Sequence, residues 1–164
     1  MNASYGRFAV MVAVSTVLMF VLMYFNTYAL DHVYWSQTRA WMALVMGAVM
    51  AVVMLLFMWD MYPGRGAKFG ILAGAVVVFA GALSLVRSQA TVDDVDWMRA
   101  MIPHHSIAIL TSRHAHIEDP RVRKLADEII SSQEREIGEM KALIRDLREH
   151  PEQAQKHAAA ASEH

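Results

Sequence analysis

Residues Ala40–Trp59 read AWMALVMGAVMAVVMLLFMW, a run with no charged side chain from end to end. The hydrocarbon core of a bilayer takes about 20 apolar residues in a helix, so this stretch predicts a transmembrane helix. Two neighbours meet the same demand. Phe8–Leu30 is broken only by mild polar residues such as Ser15, Thr16, Asn26 and Thr27. Phe69–Val86 is shorter, rich in Gly and Ala, and closes at Arg87. The first run exceeds the roughly 7–15 residues of a signal-peptide core and is followed by no clear small-x-small site. It reads as a retained span.

The charge distribution agrees with this division. Up to Val86 the ionisable residues are Arg7, Arg39, Arg65 and Lys68 against Asp31 and Asp60, with His32 besides. From Arg87 onward there are 11 Lys/Arg, 14 Asp/Glu and seven of the eight histidines. The sequence therefore predicts an all-α protein: a three-helix membrane anchor over residues 1–90, a water-facing helical domain over 91–150, and a disordered tail over 151–164. A net charge of −1 supplies no basic surface of the kind nucleic acid requires. The absence of cysteine excludes disulfides, iron–sulfur clusters and thiolate metal sites. No ionisable residue lies inside the three apolar cores, which argues against an ion-coupled pump.

Orientation follows from the short loops. Arg7 precedes the first span, and Arg65 and Lys68 lie between the second and third, whereas the Asp31–Arg39 loop balances one Arg with one Asp. The positive-inside rule then puts the N-terminus in the cytoplasm and everything after Arg87 on the periplasmic side of a bacterial inner membrane. Small residues Ala43, Gly47 and Ala51, and the pair Gly70 and Gly74, offer close helix–helix approach. Met42, Met46, Met50, Met54 and Met58 recur at every fourth position. They are either thioether stepping stones for Cu(I) or, as the simpler reading has it, flexible apolar filler.

Beyond the membrane two helices are legible. The first starts near Thr91 and runs to about Ile117. Glu118-Asp119-Pro120 forms a turn with Asp119 as N-cap and Pro120 in the first helical position. The second extends to about Glu149, with Val122, Leu125, Ile129, Met140, Leu143 and Leu147 as its apolar stripe. Two antiparallel helices of this length bury little by themselves, so a homodimer completing a four-helix bundle is the economical arrangement.

Within the first of these helices, Met98, Met101, His105, Ser112 and His116 fall in a sector of roughly 60°, with His104 at its edge. Pro103 removes a backbone hydrogen bond beside the paired histidines. Gln133 and Glu136 interrupt the stripe of the second helix, where a polar group facing a core must be paired. Facing His104, His105 and Met101 across the hairpin would pair them. A His/Met cluster with a carboxylate suits copper, since thioether prefers Cu(I) and imidazole accepts either oxidation state. Zinc through His and Glu stays open as the lesser choice.

The run Met101-Ile102-Pro103-His104-His105, followed by Ala108-Ile109, and then Leu125-Ala126, Ile129-Ile130, Gln133, Glu136-Ile137 and Met140, resembles a bacterial domain of unknown function. That family includes the CopM-type periplasmic copper-binding proteins. The similarity covers about Asp93 to Leu147. It implies an antiparallel helical fold likened to half of a ferritin-like bundle, outside the cytoplasm, that binds copper and in some members contributes to copper resistance. It also implies Met101, His104, His105 and Met140 as ligands, with Glu136 as a further donor. Leu110 stands where members often carry Met, and long Met/His-rich segments are lacking, which leaves the number of ions open.

The expectation is thus a membrane-anchored periplasmic copper-binding protein, with Met98, Met101, His104, His105, His116, Glu136 and Met140 as candidate metal-site residues. The alternative is a structural or partner-binding membrane protein with an incidental His pair. A ferritin-like oxidase needs a Glu-x-x-His spacing, and no Glu here stands three residues before a His. The chain is therefore not expected to be an enzyme.

Overall fold

The computed structural model describes residues 5–151. Among them the regular elements are helical, and three helices are long and apolar enough to cross a membrane: α1 (Tyr5–Leu22), α2 (Gln37–Phe57) and α3 (Arg65–Ser88). At 1.5 Å rise per residue they measure about 27, 32 and 36 Å, against a hydrocarbon core of about 30 Å. Two further helices, α4 (Asp94–His114) and α5 (Pro120–Glu149), follow. The chain divides into two units, one of residues 1–25 and 37–92, the other of residues 26–36 and 93–164. The expected tail beyond Pro151, with His157 and His164, lies outside the described residues.

In the first unit α2 is central and packs on both α1 and α3. It buries Ala43, Gly47, Ala48, Ala51 and Leu55. These small residues let the backbones approach closely, as helices must where lipid removes the hydrophobic drive to associate. The closest approach is at Gly47, where an added Cβ would lie 2.3 Å from the Thr16 hydroxyl oxygen. Thr16 is stiff and its hydroxyl donates to the Val12 carbonyl at 2.8 Å. Gly47→Ala is accordingly expected to destabilise the α1–α2 contact by about 1–3 kcal/mol. The double variant Gly47→Ala/Thr16→Ala should recover most of the loss, as thermal unfolding of the four proteins in detergent would show.

The expected Gly70/Gly74 contact is not made. Both glycines are exposed, with open space where a Cβ would stand. α3 buries Ala75 and Ala82 instead, seven residues apart and so on one face, well around the helix from Gly70. The methionine row is also dispersed. Met54 and Met58 pack beside Phe8, Leu55 and Tyr62, whereas Met42 is exposed. Gly64 takes φ +80° just before α3, a conformation that glycine adopts without strain.

In the second unit α4 and α5 form an antiparallel hairpin. Asp93 caps α4 by accepting from the Asp96 amide at 2.7 Å, two residues later than the expected start at Thr91. α4 ends at His114 rather than Ile117, because Ala115 is extended and the chain must reverse before Pro120. α5 begins as expected, with Asp119 as N-cap and Pro120 first. The core consists of Met98, Ile102 and Ile109 from α4 with Ile137, Met140 and Ile144 from α5.

That core corrects the expected stripe of α5. Of the expected residues Met140 is buried and Leu147 packs against the core, but Val122, Leu125 and Leu143 are exposed, and Ala126, Ile137 and Ile144 are buried in their place. α5 carries two apolar rows at helical spacing, and the row that α4 covers is the one through Ile137 and Ile144. The segment 26–36, expected to belong wholly to the membrane anchor, joins the hairpin: Tyr34 packs on its core.

Candidate metal-binding site

α4 and α5 bring one expected pair together across their seam. His105 Nε2 lies 2.8 Å from Glu136 Oε2. On its other side, His105 Nδ1 lies 3.0 Å from the Met101 carbonyl oxygen, one helical turn back. Both ring nitrogens therefore face oxygen acceptors. A neutral ring donates through only one nitrogen. With the proton on Nδ1, donated to Met101, the Nε2 lone pair and the carboxylate point at one another. A positive charge between them, a proton or a metal ion, reconciles the two.

Glu136 is held from behind. The Ser132 hydroxyl donates to its other oxygen at 2.6 Å. Ser132 first, and His105 second, hold the Glu136 carboxyl below its ordinary value, against a partial desolvation that opposes them. Ser132 was not anticipated from sequence, although its spacing of four residues from Glu136 along one helix was the available signal. A carboxyl depressed in the folded state contributes stability above its ordinary value and loses it as pH falls through the lowered one. Ser132→Ala is expected to raise the Glu136 carboxyl toward 4.5 and to move the acid loosening of this contact to higher pH. A pH titration of the Glu136 side-chain carbon by NMR reads this directly.

The remaining candidates are placed less uniformly. Met98 and Met140 are 5% and 7% exposed in the hairpin core, with Met101 packed against it. His104 is exposed on α4, its ring 6.1 Å from that of His105. His116 is not on the helical face expected of it. Because α4 stops at His114, His116 lies in the turn, its side chain 92% exposed and 3.5 Å from Glu118. Among the described residues no three His, Asp or Glu side chains gather as a metal cluster. A metal at His105 and Glu136 would thus need further donors to complete its shell.

A second polar cluster was not foreseen, because it draws on the loop between α1 and α2. Ser106 is fully buried. Its hydroxyl oxygen accepts from the Tyr28 amide at 2.7 Å and lies 3.0 Å from His32 Nδ1. The His32 side chain is 12% exposed. Burial pushes its ring below the ordinary 6.5, Lys141 adds to the shift, and Asp31 opposes it. Lys141 donates to Asp31 at 2.6 Å, which holds the Asp31 carboxyl low. The Arg113 guanidinium lies 4.9 Å from the centre of the Tyr28 ring. Any histidine in a short loop between spans could have drawn notice, but nothing local tied it to Ser106.

Residues 94–164 match a sequence family described as a domain of unknown function, DUF305. The chain is also 41% identical over 71 residues to an uncharacterized protein of Acanthamoeba polyphaga mimivirus, covering 42% of this chain and 43% of that protein. It thus spans less than half the length of this curated relative. No solved structure matches the chain. The family match falls on the hairpin and the residues after it, the part that carries His105 and Glu136.

Proposed function

We propose that this chain is a membrane-anchored periplasmic copper-binding protein that holds or passes on copper without transforming a substrate. The observation that carries the reading is the opposition of His105 Nε2 and Glu136 Oε2 at 2.8 Å across the seam. Two lone-pair donors from different helices converge there, and one ring nitrogen is already oriented by a backbone carbonyl, the support that metal-binding histidines commonly have. Met101 at the edge of the core, and Met98 and Met140 behind it, offer the thioether donors that Cu(I) favours. His104 stands near enough to serve capture from solvent. His116, exposed in the turn, contributes no donor to this seam.

The topology proposed places the N-terminus in the cytoplasm and the hairpin in the periplasm, on the loop charges of Arg7, Arg65 and Lys68. Residues 26–36 pack with the hairpin, and two spans, α2 and α3, separate these segments in the chain. Their contact is consistent with both lying on one side of the membrane. The likeness to CopM-type proteins, and through them to a ferritin-like half-bundle and a part in copper resistance, supports the same reading. Exposed Trp97, Val122, Leu125 and Leu143 give a second copy of the hairpin an apolar surface to cover.

The burial of Met98 and Met140 favours a second reading, in which the methionines only pack and His105–Glu136 is a structural ion pair. Copper titration of the full-length protein in detergent, beside His105→Ala, separates the two. Copper held by the wild type and lost by the variant supports the first reading. Equal and negligible binding by both supports the second.

A further inference from the structure

We infer that the loop between α1 and α2 is an acid-released latch on the hairpin, fastened by the buried Ser106 hydroxyl and opened by protonation of His32. The inference does not depend on metal binding at His105.

Ser106 has one hydrogen to give and lone pairs to receive. Its oxygen accepts the Tyr28 amide at 2.7 Å, so the contact with His32 Nδ1 at 3.0 Å is satisfied when Ser106 donates its hydrogen to a neutral ring. Protonation turns Nδ1 into a donor. The fully buried hydroxyl then loses its acceptor, which costs free energy in a site closed to solvent. The charge also forms in a site where the ring is only 12% exposed.

The groups around His32 do not remove that cost. From its own loop, Asp31 Oδ1 lies 3.9 Å from Nε2, but the same carboxylate is engaged by Lys141 of α5 at 2.6 Å. Lys141 is itself a positive neighbour and opposes protonation. From α4 the ring meets the uncharged Ser106, and Arg113, also positive, sits over Tyr28 in the same loop. In the open loop His32 is solvated and titrates near the ordinary imidazole value of about 6.5. The open state therefore binds the proton more readily than the closed one, so closure is favoured above that value and weakens as pH falls below it. Lys141 holds the Asp31 carboxyl below its ordinary value, well away from this range, so His32 is the part of the clasp that responds.

The absence of native cysteine permits a direct test in the full chain. Spin labels on Leu30→Cys and Arg145→Cys, both exposed positions, report the separation of the loop from α5 in lipid nanodiscs. The expected result is one narrow distance at about pH 8 that gives way to a longer, broader one at about pH 5, with a midpoint between about 5 and 6.5. His32→Gln and His32→Asn, which do not titrate, should abolish that transition. An unchanged distance in the wild-type background overturns the inference. So does a midpoint in the carboxylate range, or an acid transition that persists in both variants.

Discussion

His105→Ala is expected to lower copper affinity by at least about 100-fold, measured by titration against a competing chelator. Loss of a residue that merely orients a ligand commonly costs 10–100-fold, and this substitution removes a donor itself. It also leaves Glu136 facing an empty position, with Ser132 still holding its other oxygen. His104→Ala should cost less than about tenfold by the same scale. Its ring is exposed on α4, 6.1 Å from that of His105. Equal losses at the two positions would mean that the copper lies on the outer surface of α4 and not in the seam.

The largest effect on stability is expected at Ile102. It is fully buried, as is Ile109, between Met98 and the α5 residues Ile137, Met140 and Ile144. Ile102→Ala removes apolar area and leaves a cavity, a combination that costs about 2–5 kcal/mol. Amide exchange of α4 and α5 in the full-length protein should show that loss as faster opening of the hairpin. Leu125→Ala provides the contrast. Leu125 is 56% exposed, so its truncation in a monomeric chain should fall within about 0.5 kcal/mol. A larger cost at Leu125 would show that a second copy covers it.

Much of this architecture was readable because it rests on local patterns. Uncharged runs long enough to span lipid marked α1, α2 and α3, and the Asp119–Pro120 pair marked the start of α5 to the residue. Register was harder. α5 has one apolar row through Val122, Leu125 and Leu143 and another through Ile137 and Ile144, and periodicity alone does not say which one α4 will cover. Gly70 and Gly74 have the spacing of a packing motif, but spacing does not reveal the direction of the neighbouring helix.

The candidate site shows the same boundary. His105 and Glu136 meet as their helical phases suggested. His116 does not join them, because the phase argument assumed a helix that continues past His114. Ser132 was legible in retrospect from its spacing to Glu136. The Ser106–His32 contact was not, since 74 residues separate the partners and only the folded chain brings them together. Apolar residues such as Tyr28 and Leu30, read as the end of a span, belong to a segment that leaves the helix after Leu22 and packs with the hairpin.

X-ray absorption at the copper edge of the metal-loaded, full-length protein tests the main proposal most directly. Imidazole and sulfur scattering together in the first shell, with the imidazole contribution lost in His105→Ala, is the predicted spectrum. A shell of oxygen and nitrogen alone, identical in wild type and His105→Ala, would contradict it.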